Sequence, residues 1–543
     1  MRSSVRLASS TLALAFIVGC SAESFVGTST PKDPPNVGGG GDAGTGDAGD
    51  GGAVGPDSAI DAALPPGCDA AKLPADDACV IDEASGVFVS AQTGSVAGDG
   101  SRLKPLATIG AAIITATSTK KRVYVCEGSY AESVVLANGV AMFGGFDCTT
   151  WSWNANGRAK IASPTSPAMR ASAIALDTRV EGFDVVAPAG TPSASSSIGF
   201  IAVNSPAVRF IHGSITAGAG FAGVAGVDAT QLTNGPWIDG DANVDDIVCG
   251  GSVMCETAHA FRSGGVNACV GKQGFKGGDG GGGGSGGIFT RNPISGFSVV
   301  AAQTSGGATV ATSTTAAGGT GSSATQPGSA GGAGASGGNG APIGTFSASG
   351  YTPSDGSAAV DGTPGQGGGG GAGYGVPSSR FNNYVSGAKV YGIPGSGGGA
   401  GGCPGLAGTP GTGGGASVAL VAVDSPMRLE DSKLTASTGG DGGAAGISTV
   451  GTAGGTRGGN ASISSFGYAN FLGANGGSGG NGGLAGQGAG GPSIGFAYHG
   501  TAPTLLATTV KNAAGGKGAP SKNTPAGTII GAPDGFANDK VAY

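Results

Sequence analysis

Nine cysteines are the residues in this 543-residue chain whose chemistry is most specific. Cys20 directly follows an apolar stretch near the N-terminus, and the other eight form an even set. An even set of cysteines in an exported chain favours disulfides. Their spacing predicts the pairs Cys68–Cys79, Cys126–Cys148 and Cys249–Cys255. Cys269 and Cys403 remain, both at or within Gly-rich runs, and are predicted to form the fourth pair. Zinc binding is the alternative, but the sequence contains no CxxC pair of the kind common in zinc sites.

Cys20 ends a segment that has the layout of an export signal. Positively charged residues precede the apolar run 7–19, which is too short to span a bilayer. The ending Ile17-Val18-Gly19-Cys20 resembles the lipobox of bacterial lipoproteins. This resemblance implies that residues 1–19 are a removed signal peptide and that acylated Cys20 anchors the chain to a membrane. Because Ser21 and not Asp follows the cysteine, it also implies the outer membrane, with the chain facing the periplasm or the cell surface.

One acidic turn has the spacing of a calcium loop. Oxygen-bearing side chains alternate along it, as in the first half of such a loop, at Asp239, Asp241, Asn243 and Asp245. The pattern then departs from an EF-hand, because Val244 stands where Gly is needed and Gly250 where Glu is needed. We therefore predict a solvated acidic turn and no metal site, with calcium at these four residues as the alternative.

No residue is predicted to be catalytic. The three histidines, His212, His259 and His499, have no cysteine or carboxylate at ligand spacing in the sequence. We interpret them as structural or surface residues. Glycan-cleaving enzymes cluster carboxylates on one face, whereas here the carboxylates are scattered along the chain. The sequence therefore predicts a protein that is not an enzyme and needs no cofactor.

Composition excludes one class of partner and divides the chain. There are 117 Gly, charged residues are 11% and the net charge is -7. No basic patch exists to neutralise phosphates, so we expect no nucleic acid partner. Residues 20–67, rich in Gly, Asp and Pro, are predicted to be a disordered tether. Two ordered parts are expected beyond it: cap and strand units at 68–262, then Gly-rich repeats interleaved with strand units at 263–543.

The first ordered elements are a helix and several strands. Apolar residues at helical spacing predict a short helix with one buried face: Ile109, Ala112, Ile113 and Ala116. Strand-like runs lie at 87–90, 122–126, 133–136 and 140–143. With the Gly-rich turn before the helix, this order over 84–150 resembles the capped N-terminus of right-handed parallel β-helix proteins of the pectate-lyase-like type.

A repeated strand unit predicts the rungs of one solenoid. Residues 197–206 align without a gap with 417–426, and 493–503 form a looser third copy. A second strand follows each copy, at 213–217, 432–436 and 508–512. Residues 171–187 look like a degenerate earlier copy.

Glycine also recurs at every third position in five runs. The runs begin at Gly271, Gly328, Gly362, Gly402 and Gly473. A period of three is that of the polyproline-II-type helix, which presents one edge every third residue. We predict a packed layer of antiparallel Gly-rich helices, hydrogen-bonded through their amides, with the other two positions of each triplet less constrained. Flexible linkers are the alternative, and collagen is rejected because the runs are short and contain little Pro.

The whole pattern resembles the Gly-rich, β-helix-capped surface lipoproteins of predatory soil myxobacteria, sometimes called PGRS-like proteins. The resemblance covers nearly all of the chain beyond the signal peptide. It implies a mostly β fold, with a right-handed parallel β-helix or solenoid and an interleaved polyglycine-II-like layer. It implies little about chemistry.

These features together predict a non-enzymatic lipoprotein of the outer membrane or cell surface, with a structural or adhesive role. Its expected partners are the membrane, through the lipid, and a glycan or another cell surface. Two alternatives stay open: a carbohydrate-active β-helix enzyme, either a polysaccharide lyase or a hydrolase, and a flat slab that binds an ice or glycan surface.

Overall fold

The computed structural model describes residues 67–69, 71–119, 122–242, 262–282, 288–292, 296–300, 327–371, 389–391, 395–459 and 472–543. These residues belong to a unit that spans 61–543. Cys20, the signal segment and the predicted tether up to residue 66 lie outside the described residues.

Short runs of β-branched and aromatic residues form most of the elements before the first long Gly-rich segment. After a 3-10 turn at Ala78–Val80, these are β1 (Gly86–Val89), α1 (Ile109–Ser118), β2 (Arg122–Cys126), β3 (Gly128–Tyr130), β4 (Val134–Val135), β5 (Ala141–Phe146), β6 (Ala159–Ala162), β7 (Met169–Ser172), β8 (Thr178–Glu181), β9 (Phe183–Val186), β10 (Ser197–Val203), β11 (Val208–Ile211) and β12 (Ser214–Ala217).

Short strands continue among and after the Gly-rich segments. They are β13 (Ile288–Asn292), β14 (Gly296–Val300), β15 (Thr345–Ser347), β16 (Gly350–Thr352), β17 (Lys389–Tyr391), β18 (Ser417–Val423), β19 (Arg428–Glu430), β20 (Lys433–Ala436), β21 (Ser493–His499), β22 (Thr504–Leu506), β23 (Thr509–Lys511), β24 (Lys522–Thr524), β25 (Gly527–Ile529) and β26 (Ala537–Ala542). The described part of the chain is thus mostly β, with α1 as its one α-helix.

Three parallel sheets contain nineteen of the described strands. We name them sheet A (β1-β2-β5-β8-β11-β19-β22), sheet B (β3-β6-β9-β12-β20-β23) and sheet C (β4-β7-β10-β18-β21-β26). From β2 onward, successive strands of the three parallel sheets belong to A, B and C in turn. We call each set of three a passage, and each passage adds one strand to each sheet. Three smaller antiparallel groups are β14-β13-β17, the hairpin β15-β16 and the hairpin β24-β25.

The register between passages matches the strand units predicted from the sequence. Ser197 pairs with Ser417, and Ser417 pairs with Ser493, which is the predicted alignment of the three copies. The second predicted strands also pair, as β12 with β20 and β20 with β23. In each copy, the sequence analysis missed the short strand of sheet A that lies between the two predicted strands. These missed strands are β11, β19 and β22.

Apolar side chains from the three sheets pack together in one core. The same register position holds Phe200, Leu420 and Phe496 in sheet C, and each is buried. Sheet B contributes Ile215 and Leu434 to the same core. Each large apolar side chain buried in this way stabilises the fold by about 1.5–3 kcal/mol.

Helix α1 packs onto this core, and its predicted buried face is confirmed. Ile109, Ala112, Ile113 and Ala116 are all buried. Thr108 caps the helix by accepting a hydrogen bond from the Ala111 amide. The Glu132 carboxylate accepts two more, from the Ile109 amide at 2.7 Å and the Gly110 amide at 2.9 Å.

The Gly-rich segments are inserted at one corner of the fold, between a strand of sheet B and the next strand of sheet C. Residues 218–416 follow β12, 437–492 follow β20, and 512–536 follow β23. Their extended backbones hydrogen-bond to one another. We call these parts the glycine layer: 218–241, 262–282, 327–341, 354–371, 395–416, 437–458, 472–492, 512–520 and 530–536.

The glycine layer continues the register of the sheets. Ala217 pairs with Ala436 in sheet B. Directly beyond them, the amides of Gly220, Gly223 and Gly226 donate to the carbonyls of Thr438, Asp441 and Ala444 at 2.6–2.9 Å. On the sheet C side, Gly414 donates to Ala489 at 2.9 Å, just before Ser417 pairs with Ser493. Bonds that recur every three residues therefore extend the stacking of the strands outward.

Segment 395–416 lies in the middle of the layer. Near Gly398 it bonds to five other segments of the layer at six places, around residues 241, 265, 281, 368, 455 and 474. A Cβ at Gly397, Gly398 or Gly399 would in each case overlap the carbonyl oxygen of a different neighbour. At this position all three sides of the extended chain meet another backbone.

Two parts of the period-three prediction are wrong. Around Gly398 the other two positions of a triplet are not less constrained, because the chain there has neighbours on every side. The first run also does not begin in extended chain. Gly271 and Gly274 have φ of 120° and 86° and form a turn, and nothing lies within 4 Å of a Cβ at Gly274.

Candidate functional site

Three of the four predicted cysteine pairs lie at disulfide-bonding distance. The Cα atoms are 5.7 Å apart for Cys68–Cys79, 5.0 Å for Cys126–Cys148 and 5.8 Å for Cys269–Cys403. The last pair joins segment 262–282 of the layer to the central segment 395–416. The fourth predicted pair, Cys249 and Cys255, lies outside the described residues.

Two of the four calcium candidates lie in the described part, and both bond to the layer. Asp239 Oδ1 accepts hydrogen bonds from the Thr456 amide at 2.6 Å and the Thr456 hydroxyl at 2.8 Å. Asp241 Oδ2 accepts one from the Ser263 amide at 3.2 Å. Asn243 and Asp245 are outside the described residues. No group of three or more potential metal ligands occurs in the described ranges.

Short polar side chains in the layer accept hydrogen bonds from amides of neighbouring segments. Asp361 accepts from the Ala407 amide and Asp355 from the Gly413 amide, both at 2.7 Å. Thr363 accepts from the Gly332 amide, also at 2.7 Å. These side chains satisfy donors that the backbone carbonyls leave unpaired. This explains why Asp, Ser and Thr are placed between the glycines, which composition alone did not show.

A charged strip on the outer face of sheet A was missed by the sequence analysis. The register aligns Arg179 of β8, Arg209 of β11 and Arg428 of β19 in one row. Arg428 Nε and Arg209 Nη2 contact the same oxygen of Glu430, at 2.7 Å and 3.2 Å. Arg179 Nε lies 2.6 Å from Glu181, whose side chain is only 4% exposed.

His212, which has no carboxylate at ligand spacing in the sequence, contacts two carboxylates in the structure. Its Nε2 lies 2.9 Å from Asp431, and its Nδ1 lies 3.5 Å from Glu181. His212 and Asp431 occupy the same corner of successive passages, with φ of 49° and 44°. His and Asp tolerate this left-handed conformation better than most residues. Asp431 is 219 positions from His212, so sequence proximity could not reveal the pair.

His499 is also paired, at a corner of sheet C. Its Nδ1 lies 2.9 Å from Asp424 Oδ1, and both side chains are about half exposed. His259 lies outside the described residues. The carboxylates that looked scattered along the chain are therefore partly gathered by the stacking of passages.

A third feature is an open groove of about 280 Å³ on the outer side of sheet C. We call it the serine groove. It is lined by residues 166–167, 193–196 and 349–353, the last of which contain β16, together with Ile198. The hairpin β15-β16 forms one wall, where the rings of Phe346 and Tyr351 pack 4.9 Å apart. Burial raises the pKa of the Tyr351 hydroxyl to about 12, although a hydrogen bond from the Gly344 amide opposes the shift.

Comparisons with protein-family models, with curated proteins and with solved structures found no match. Among the described residues, no helix has the length and apolar character needed to cross a membrane. Function is therefore argued from the geometry of this chain and from its N-terminal sequence.

Proposed function

We propose that this chain is a lipid-anchored envelope protein with a structural or adhesive role at the outer membrane or cell surface. In this proposal sheets A, B and C form a right-handed parallel β-helix, and the glycine layer is a polyglycine-II-like array that projects from one corner. Right-handed crossovers are expected because parallel strands in one sheet are almost always connected that way.

One observation carries the proposal: the hydrogen-bond register of the strands runs on into the glycine layer. A layer bonded in this way is a rigid extension of the strand stack, whereas flexible linkers would have no common register. A rigid body on a long tether suits display away from a membrane. The lipobox-like ending at Cys20 supports the anchor, and the resemblance to PGRS-like proteins supports a surface location.

The test is fractionation of cells that make the full chain or its Cys20→Ala variant. We expect the full chain in the outer-membrane fraction, with a lipid-modified N-terminal residue by mass spectrometry. The variant should move to the soluble exported fraction, whereas the neighbouring control Ser21→Ala should stay with the membrane. Protease treatment of intact cells then reports which side the chain faces. Equal membrane partitioning of Cys20→Ala would contradict the anchor.

A carbohydrate-active enzyme is the second candidate, and the charged strip on sheet A favours it. His212 lies between two carboxylates, Glu181 and Asp431. Such a set can donate and accept protons during cleavage of a glycosidic bond. We would incubate the full chain with a panel of polysaccharides and measure new reducing ends. Turnover that Glu181→Gln abolishes and Glu83→Gln preserves would support the enzyme, and absence of turnover on the panel would favour the binding role.

A further inference from the structure

The serine groove is lined by hydroxyl groups and small apolar surfaces. Its described lining contains no charged side chain. A charged ligand would lose hydration there without gaining a partner of opposite sign. The volume, about 280 Å³, is just below the usual range for ligand sites, which begins at about 300 Å³. The groove therefore suits a small, neutral ligand.

Backbone contacts fix the hydroxyl groups in position. Ser166 Oγ accepts a hydrogen bond from the Ile198 amide at 2.8 Å, and Ser196 Oγ accepts one from the Ala416 amide at 3.1 Å. Neither hydroxyl donates a hydrogen bond to another described residue. Each is therefore held at its oxygen and still has its proton available for a ligand, an arrangement that lowers the cost of ordering the site on binding.

The groove also offers an aromatic surface. Tyr351 is held at both ends, because its hydroxyl accepts a hydrogen bond from the Gly344 amide at 2.7 Å and its ring packs against Phe346. The floor is apolar, from Pro167 and Ile198. Fixed hydroxyls around an aromatic and aliphatic surface match a sugar ring, which presents hydroxyls at its edge and C–H groups on its face.

We propose that the serine groove binds one or two neutral sugar residues of a glycan. This inference rests on the proposed adhesive function in naming a glycan as the partner, and it assigns the contact to the outer side of sheet C. It is independent of the charged strip on sheet A.

The test uses the full-length chain carrying Cys20→Ala and saturation-transfer NMR with neutral probes: the methyl glycosides of glucose, galactose, mannose and N-acetylglucosamine, and the disaccharide cellobiose. Methyl glucuronide is the charged probe. We expect saturation transfer to at least one neutral probe and at least about tenfold weaker binding of the glucuronide. If the variant stays in the membrane fraction, the anchor fails, but the same spectra can be recorded in deuterated detergent.

Two variants locate the binding. Ser193→Trp places a large ring at an exposed position of the groove and should reduce binding at least about tenfold, while Ser118→Trp, at the exposed end of α1, should leave it unchanged. Circular dichroism shows whether both variants fold, and Ser193→Tyr replaces the first if it does not. No transfer to any neutral probe, equal binding of the glucuronide, or binding unaffected by the groove variant would each overturn the proposal.

Discussion

A glycine in this protein is required wherever its missing side chain would point at a neighbouring backbone. Segment 327–341 lies at an edge of the described layer, and there the constraint applies to every third residue. A Cβ at Gly334 would overlap the Val360 carbonyl oxygen, whereas one at Gly332 would make an ordinary contact of 3.6 Å with Thr363 Oγ1. In the central segment the constraint applies to three consecutive residues, Gly397, Gly398 and Gly399. The number of glycines in a triplet thus follows the number of neighbouring segments.

This difference predicts how three substitutions rank. Gly334→Val should destabilise the fold by about 1–3 kcal/mol or more, because backbone must move to admit the side chain. Ala333→Val should be nearly silent, since Ala333 is exposed at the edge. Ala400→Val should be as harmful as Gly334→Val, because Ala400 is fully buried in the central segment. Thermal melts of the three variants decide the ranking, and equal melting temperatures would show that the segments are not packed.

Tyr351 makes stability depend on pH in the alkaline range. Burial raises the pKa of its hydroxyl from 10.0 to about 12. Between these values the folded chain keeps a proton that the unfolded chain loses, so this group's contribution is complete below pH 10 and falls as pH rises toward 12. We expect denaturant unfolding at pH 9, 10 and 11 to show a steeper loss of stability for the native chain than for Tyr351→Phe. Parallel curves for the two proteins would argue against a buried hydroxyl.

Pairs of residues in the candidate sites were predictable where their distance along the chain is short, or where elimination left one pair, as for Cys269 and Cys403. Cys68 and Cys79 flank one loop, so their pairing follows from the sequence. His212 and Asp431 meet because the chain leaves sheet B after β12, builds most of the glycine layer and returns in register. That register depends on the whole insertion, so the residues near His212 in the sequence could not predict its contact with Asp431.

At the scale of elements, periodicity predicted the buried faces well. The spacing of Ile109, Ala112, Ile113 and Ala116 predicted the face of α1. The long strands β10, β18 and β21 were recognised because they are almost wholly apolar. Strands β11 and β19 were missed because they have only three or four residues and place Arg209 and Arg428 outward, so their apolar signal is interrupted.

Helix α1 should depend on Glu132, because that carboxylate satisfies two amides at its start. Glu132→Ala leaves both without this partner, and we expect a loss of about 1.5–3 kcal/mol, typical of hydrogen bonds to a charged group. Glu83→Ala is the matched control, since Glu83 accepts an exposed amide hydrogen bond from Arg102 and caps no helix. Denaturant melts measure both, and equal losses would mean that Glu132 does not stabilise the helix start.

At the scale of the molecule, the strands of sheets A, B and C and the segments of the glycine layer share one hydrogen-bond register. The core of sheets A, B and C is stabilised by apolar burial, whereas the glycine layer has few large side chains and is held by amide–carbonyl bonds between segments. Each of the three insertions, 218–416, 437–492 and 512–536, begins after a strand of sheet B and ends before a strand of sheet C. The paired strands therefore set which glycines of the layer face which neighbours. Glycines of distant parts of the chain can then face the correct neighbours.

This arrangement predicts how stability responds to residues inserted between a strand and the layer. An insertion of three residues should keep the glycines facing their neighbours, whereas an insertion of one should not. One Gly inserted after Gly218 shifts the following residues by one position. Ala222 and Ala225 then take the places of Gly223 and Gly226 against segments 409–412 and 443–446, where there is no room for a Cβ. Three inserted Gly residues again place glycine at the positions that face a neighbouring backbone. The loop after Thr230 can accommodate the three extra residues. We expect the single insertion to lower the melting temperature clearly and the triple insertion to lower it much less, although the triple insertion adds more chain. Hydrogen exchange at Gly223 and Gly226 should rise with the single insertion and stay slow with the triple one. If the loss of stability instead grows with the number of residues inserted, then stability depends on the length of the insertion and not on the position of the glycines. That result would refute a common register from strands to glycine segments.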